Sequence, residues 1–431
     1  MKKFFIFFYI ILHLSTYVYA QSDIYLSLVA TNACKKLSII IGDFTAIDKN
    51  ENTIKTINIL RDIIKSDLIH SRYFNVTEKK DISVNSFKEK LLSYEYEKTS
   101  VFIIADIAHD INNNLIINIK ILDITGKVIW ECKYIRELTD YRYMCHEASD
   151  EIIKILTGEI GIARSKIAFV SNSTGFKEIY VVDYDGYNLR RLTKDNKINI
   201  LPRWSPDGRC IIYTSYLHNN PDLFVLDIVK NRRLIVSKYQ GLNVAGSFSP
   251  DGKKILLTLS KGNYPNLYLI NTSGEIIRRI TNNFCIDTSP SFSPNGQEIV
   301  FISDRTGYPQ LYIMNLEGGN IRRLTTSGFC DSPSWSPCGD KIAFTMKQQK
   351  CNNYDLYIYD LPTAKILKLT NNQKNNENPS FSPDGRFITF YSNRSGKGEI
   401  YVISVDGLNT RKLTELSGAS YTPSWSPVLM K

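Results

Sequence analysis

Among the residues able to do chemistry, three aspartates recur in one setting: Asp207, Asp251 and Asp384 each sit in a Ser-Pro-Asp-Gly quartet. A repeated Asp-Gly pair invites a calcium loop, yet no carboxylate-rich stretch of EF-hand pattern surrounds any of them. Asn295 and Cys338 hold the same place in two further copies, which a turn accepts and a metal cage does not. The quartet reads as a tight reversal: Pro presets φ, Asp bonds its own backbone, and Gly takes the position with φ > 0. Past the leader, the histidines at 70, 109, 146 and 218 form no HxxxH or HxH array, and the reading is surface or helix-face placement rather than metal ligation. There is no G-x-S-x-G elbow, no Gly-rich phosphate loop and no paired-carboxylate motif. None of the eight cysteines falls in a CxxC pair, and they read as small buried apolar side chains with one or two bridges at most. Cys285 and Cys330, at similar places in neighbouring repeats, are the first pair to test. The expectation is a protein without catalysis and without a cofactor.

The elements that position these residues announce themselves by repetition. The aromatic before Ser-Pro recurs as Trp204, Phe248, Phe292, Trp335, Phe381 and Trp425, at intervals of 43 to 46 residues. Between markers run a β-rich segment, an alternating aromatic-aliphatic segment such as LYIMN at 311, and a basic segment ending in Leu-Thr or a variant. Short runs rich in Val, Ile, Tyr and Phe, punctuated by Gly, Asn and Asp, predict antiparallel meanders, and a period in the low forties predicts propeller blades. The first repeat, starting at Ser165, lacks the motif and the last, at Trp425, is the motif alone. The C-terminal segment is therefore expected to complete the first blade as its innermost strand, giving six blades with velcro closure. Arginine pairs such as Arg190-Arg191 and Arg322-Arg323 lie on the predicted outer strands, where charge blunts an exposed edge; spread around a rim, they do not predict a nucleic-acid groove.

Four residues before each marker lies the position where the chain enters the innermost strand: Ile200, Val244, Thr288, Asp331, Glu377 and Tyr421. Every blade aims it toward the common axis, so the six are expected to ring the channel mouth, with Leu201, Ala245, Ser289, Ser332, Asn378 and Thr422 just behind. Asp331 and Glu377 are the ring's carboxylates, too few for a catalytic cluster.

Upstream, Lys2 and Lys3 precede the apolar run Phe4–Leu14 and the small-x-small site Val18-Tyr19-Ala20, the pattern of a cleaved secretory leader. Residues 21–160 mix strand and helix periods. LSIIIGDF at 37–44, Val101–Ala105, Leu115–Leu122 and Val128–Tyr134 predict strands. Ile57, Leu60, Ile64 and Leu68 predict one helix face, and Cys145, Ala148, Ile152 and Ile155 another, stopped at Gly158. The expected domains are a leader at 1–20, a small α/β domain at 21–160 and an all-β six-bladed propeller at 161–431. The net charge of +10, on a chain with only 22% charged residues, permits an acidic partner without requiring one.

The leader, the small α/β domain running into EIIKILTGEIGIARSKIAFVS (151–171), the stretch SRYFNVTEKKDI (71–82) and six W/F-S-P-D-G blades together resemble the TolB family, the periplasmic propellers of the bacterial Tol-Pal system. The likeness covers nearly the whole chain after the leader. It implies a periplasmic, monomeric, non-catalytic binding protein that touches membranes only through its partners and binds no nucleic acid. Family members dock the lipoprotein Pal at the channel mouth and offer an N-terminal segment to the inner-membrane protein TolA, supporting outer-membrane integrity and cell division. The resemblance places Leu242 and Thr288 at the Pal-binding mouth and Ile24, Tyr25, Leu26, Ser27 and Leu28 in the TolA segment. The competing reading is a secreted propeller that binds a peptide or carbohydrate outside any Tol-Pal system.

Overall fold

The computed structural model describes residues 36–47, 51–79, 101–112, 114–349, 351–371 and 373–430. The leader and the Ile24–Leu28 segment lie outside the described residues. The chain divides into two compact units, Met1–Ala163 and Arg164–Lys431.

In the first unit, β1 (Leu37–Ala46), β2 (Phe74–Glu78), β3 (Val101–His109), β4 (Leu115–Leu122) and β5 (Val128–Arg136) form one sheet in the order β2-β1-β3-β4-β5. β1 runs parallel to both β2 and β3, whereas β3, β4 and β5 form an antiparallel meander. The parallel pairing requires a crossover, which α1 (Glu51–Ser71) supplies between β1 and β2. Leu60, Ile64 and Leu68 of α1 join Cys145, Ala148 and Ile152 of α2 (Tyr141–Thr157) and Ile39, Ile103 and Ile117 of the sheet in one core. Gly158 ends α2 in the left-handed conformation, φ 75°, its N–H donating to the Lys154 carbonyl at 2.8 Å. One residue of the expected face is misplaced: Ile155 is 39% exposed, and Ile153 and Leu156 are buried in its stead. His146 also departs from a surface placement, lying buried on α2 with Nδ1 2.8 Å from Asp67 Oδ2 of α1.

The second unit is a six-bladed β-propeller of four-stranded antiparallel sheets. The innermost strands of blades two to six are Asn199–Trp204, Asn243–Phe248, Asp287–Phe292, Phe329–Trp335 and Asn376–Phe381. Blade one is composite: Lys166–Ser171, Glu178–Asp183 and Arg190–Arg191 pair in sequence, and its innermost strand is Ser420–Trp425, with Tyr421 opposite Val170.

Two local devices explain the repeated words. In the reversals the Ser hydroxyl donates to the Asp or Asn two residues on, as in Ser205 to Asp207 at 2.5 Å and Ser293 to Asn295 at 2.6 Å. The same carboxylate oxygen of Asp207 accepts the Arg209 N–H at 3.0 Å, and Gly208 sits at φ 68°, so the aspartate serves the turn. The Leu-Thr words work differently: buried Thr193, Thr281, Thr325, Thr370 and Thr414 each accept an N–H from the third strand of the blade at 2.9 to 3.0 Å. The marker aromatics are all buried and wedge into the preceding blade. Phe292 packs with Leu256 and Leu267 of blade three, and Trp335 with Val300 and Leu311 of blade four. All seven cysteines among the described residues are free thiols, Cys285 and Cys330 included. Cys330 is buried with its sulfur 3.4 Å from the Thr325 hydroxyl, and burial pushes its thiol up to about 11.

Candidate functional site

All six positions of the expected ring lie on innermost strands, and a β-bulge follows directly in every blade but the third, where it comes one residue later. The bulge has a cause in the backbone. Leu201, Ser289, Ser332, Asn378 and Thr422, each followed by proline, adopt φ between 43° and 55°. The left-handed region costs a non-glycine residue about 1–3 kcal/mol, and most for β-branched Thr422. Five strained residues at one level of a ring mark a wall whose shape is held by the surrounding sheets rather than chosen by its own residues. Blade three differs, reading Ala245-Gly246 where the others place proline second. A Cβ at Gly246 would lie 2.7 Å from both the Leu256 carbonyl oxygen and Pro290 Cγ, so the neighbouring blade closes to backbone distance there.

Chemically the mouth has two halves. Blades two, three and four present Ile200, Val244 and Thr288, all partly buried, with Leu242 exposed beside them. Blades five, six and one present exposed Asp331 and partly buried Glu377 and Tyr421. Tyr421 stacks on Tyr391 with ring centroids 5.5 Å apart, and Lys177 Nζ sits 5.1 Å from its centroid. Burial, then the like charge of Asp331, pushes the Glu377 carboxyl above the ordinary glutamate range. Both acids in turn hold up the Tyr354 phenol, whose rise is led by burial. A short polar lattice fixes this side: Ser289 Oγ donates to Asp331 Oδ1 at 3.2 Å, the Ser332 N–H to the same oxygen at 2.7 Å, and Asn378 Nδ2 to Ser332 Oγ at 2.8 Å.

A residue that sequence reasoning passed over faces this acidic half. Directly before each marker aromatic stand Arg203, Ser247, Ser291, Ser334, Ser380 and Ser424, one arginine among five serines. The serines at 247, 334 and 380 accept the N–H of the next blade's marker at 3.0 to 3.4 Å. Arg203 has no acceptor to offer; among the described residues its one hydrogen bond runs from Nη1 to the Pro202 carbonyl at 3.1 Å. Burial pulls its pKa down to about 10, against the charge of Asp331, which acts on it from blade five, three blades around a ring of six. At neutral pH it remains a cation held near the axis with donors to spare. The signal was legible as a break in the serine column. Tyr354, Tyr391 and Lys177 carried no such signal, since only the fold brings their loops and strands to the mouth.

Comparison with known proteins fits this architecture. Residues 153–429 match the TolB beta propeller domain family. The chain is 41% identical over 374 residues to the Tol-Pal system protein TolB of Methylobacillus flagellatus, covering 86% of each. It is 33% identical over 217 residues to the Tol-Pal system protein TolB of Desulfosudis oleivorans, an alignment that spans 47% of this chain and about half, 48%, of that relative. Among solved structures, TolB from Acinetobacter baumannii superposes with a TM-score of 0.77 at 25% identity, covering 91% of this chain and 97% of that one.

Proposed function

Because the chain belongs to the TolB family, we propose that it is a non-catalytic protein-binding component of a Tol-Pal envelope system, working in the periplasm after export. A Pal-like lipoprotein docks at the channel mouth, on the ring of Ile200, Val244, Thr288, Asp331, Glu377 and Tyr421 with Leu242 at its edge. A TolA-like inner-membrane protein takes the N-terminal segment Ile24–Leu28 by adding it as a strand to a sheet edge. Linking the two partners supports outer-membrane integrity and cell division.

The observation that carries this reading is the mouth's division into an uncharged half and an acidic, aromatic half, with the Arg203 cation inside. A strained, pre-formed wall of this kind suits insertion of a polypeptide segment: apolar side chains lie on blades two to four, backbone or basic donors meet Asp331 and Glu377, and an acidic group reaches Arg203. Reaction chemistry would need a positioned acid, base or nucleophile beside a substrate cleft, and this ring offers a binding surface in its place.

The test is a calorimetric titration of the full chain, freed of its leader, against the organism's own Pal-like lipoprotein. Thr288→Arg and Glu377→Arg each put a bulky cation into the mouth and should lose about 1–3 kcal/mol of affinity, with far-UV spectrum and Tm unchanged. Undiminished binding by both variants removes the lipoprotein from the mouth. No binding by the parent chain gives the role to a peptide- or carbohydrate-binding propeller outside a Tol-Pal system.

A further inference from the structure

Blade two departs from its neighbours a second time, away from the channel. Blades one, four, five and six stack a Phe of the second strand on a Tyr of the third: Phe169 on Tyr180, Phe301 on Tyr312, Phe344 on Tyr357 and Phe390 on Tyr401, with centroids 5.7 to 5.9 Å apart. Three of these tyrosines hydrogen-bond near the adjoining loop, to Ser173, Thr306 and Glu399. Blade two keeps the stack, at 5.6 Å, but exchanges the residues: Tyr213 is on the second strand and Phe224 on the third. The hydroxyl moves with the tyrosine. Tyr213 is fully buried, and its hydroxyl finds no acceptor among the described residues. The charged group beside it is the Arg233 guanidinium, itself only a donor, so the Tyr213 proton lacks an acceptor. Burial keeps that proton in place, the phenol being pushed up to about 12.

Tyr213 lines a cleft of about 600 Å³ between the outer part of blade one and blade two. Its walls carry Arg190, Arg191, Lys194 and Arg233 against a single carboxylate, Asp195. Asp195 is already committed, with both oxygens taken by Arg233 Nη1 at 2.6 and 2.7 Å, and Arg191 is bound to buried Glu178 at 3.0 Å. Arg190 and Lys194 are exposed, and neither has a partner among the described residues. Leu192, Leu226 and Ile228 supply an apolar wall. A volume in this range holds a small organic molecule rather than a bare ion.

We propose that this cleft is an oxyanion site for a phosphate ester, with Arg190 and Lys194 gripping the phosphate, the Tyr213 hydroxyl donating to one of its oxygens, and the apolar wall taking the carbon portion. The fit is chemical. A phosphate oxygen is the acceptor that Tyr213 lacks, and the two unpaired cations supply its counter-charge. The ester comes either from a soluble phosphorylated metabolite or from the headgroup of an anionic phospholipid.

The experiment titrates the leader-free full chain with glycerol 3-phosphate and with inorganic phosphate, and in parallel measures its sedimentation with phosphatidylglycerol and phosphatidylcholine vesicles. Saturable binding of glycerol 3-phosphate identifies a soluble ligand; binding confined to phosphatidylglycerol vesicles identifies the headgroup. In either case Tyr213→Phe, which deletes only the hydroxyl, should weaken binding about five- to ten-fold while leaving Tm unchanged or higher, and Arg190→Ala with Lys194→Ala should abolish it. Two results overturn the proposal: no binding of any of these probes, or binding that Tyr213→Phe leaves intact, which reduces the cleft to a nonspecific basic surface.

Discussion

Blade two and the other five blades obey the same plan and differ in what they do with it. In the regular blades nearly every repeated polar residue serves the ring itself. Serines before the marker take the next blade's N–H, and Leu-Thr threonines secure the third strand. Blade two puts Arg203 where a serine belongs, moves a phenol from the third strand to the second, and ends its outer run in Ser237, whose hydroxyl turns to Asn243 at 2.6 Å. Each exchange gives up a scaffold contact, and the arginine and the phenol leave donors to spare. In a molecule built by repetition, loss of the repeat's own bonding is the structural trace of a site, because five sound interfaces tolerate one weaker one.

The largest effect should come from breaking a regular interface outright. A chain ending before Tyr421 strips blade one of its innermost strand, opens the edge of Lys166–Ser171, and deletes the bond from Trp425 Nε1 to Ser165 Oγ at 2.8 Å. We expect an insoluble product or a Tm lower by at least about 10 °C in a thermal melt; a soluble chain with the parent Tm would mean that the blades are independent. Next, Gly246→Ala forces a Cβ to within 2.7 Å of backbone where blades three and four meet. It should cost about 2 kcal/mol, roughly 4–8 °C, and an unchanged melt would show that the interface can yield.

Arg203→Ser restores the regular column and sharpens the comparison directly. Removing a partly buried, desolvated cation and supplying an acceptor should raise stability by about 1 kcal/mol, read by urea unfolding, while lipoprotein affinity falls about ten-fold. A variant that loses stability and keeps affinity would make Arg203 a scaffold residue. The smallest effect concerns Glu377, whose folded pKa lies above its ordinary value near 4.5. Between those two values the folded state binds more protons than the unfolded one, so this residue's contribution to stability is present at low pH and is lost as pH rises through the folded pKa. Glu377→Gln should flatten that slope, narrowing the Tm difference between mildly acidic and neutral buffer by about 1–2 °C; parallel pH profiles for the two proteins would refute the assignment.

Much of the fold was legible because its signals are local. Ser-Pro-Asp-Gly encodes a turn within four residues, and Gly158 a helix end within two. The phase of α2 was harder: its apolar residues allow two overlapping faces, and contact with α1 and the sheet selected Ile153 and Leu156 over Ile155. That the six equivalent positions fall on innermost strands followed from the period alone, yet their surroundings did not. The left-handed φ of Leu201 and Thr422, the Tyr391–Tyr421 stack and the desolvated setting of Arg203 depend on strands distant in sequence. The cysteines show the same limit: similar repeat positions for Cys285 and Cys330 said nothing of the Thr325 hydroxyl that Cys330 meets.

The composite blade also sets a timetable. Ser165 and Trp425, bonded to one another, stand 260 residues apart, so blade one waits with an unpaired inner edge while every other blade is synthesised. Blades two to six can assemble in order from neighbouring segments, but the ring as a whole becomes cooperative only with the arrival of its last strand. Until then the Lys166–Ser171 edge is a template for any extended chain nearby, and it is in that interval that the molecule is most exposed to mispairing and to the attention of chaperones and proteases.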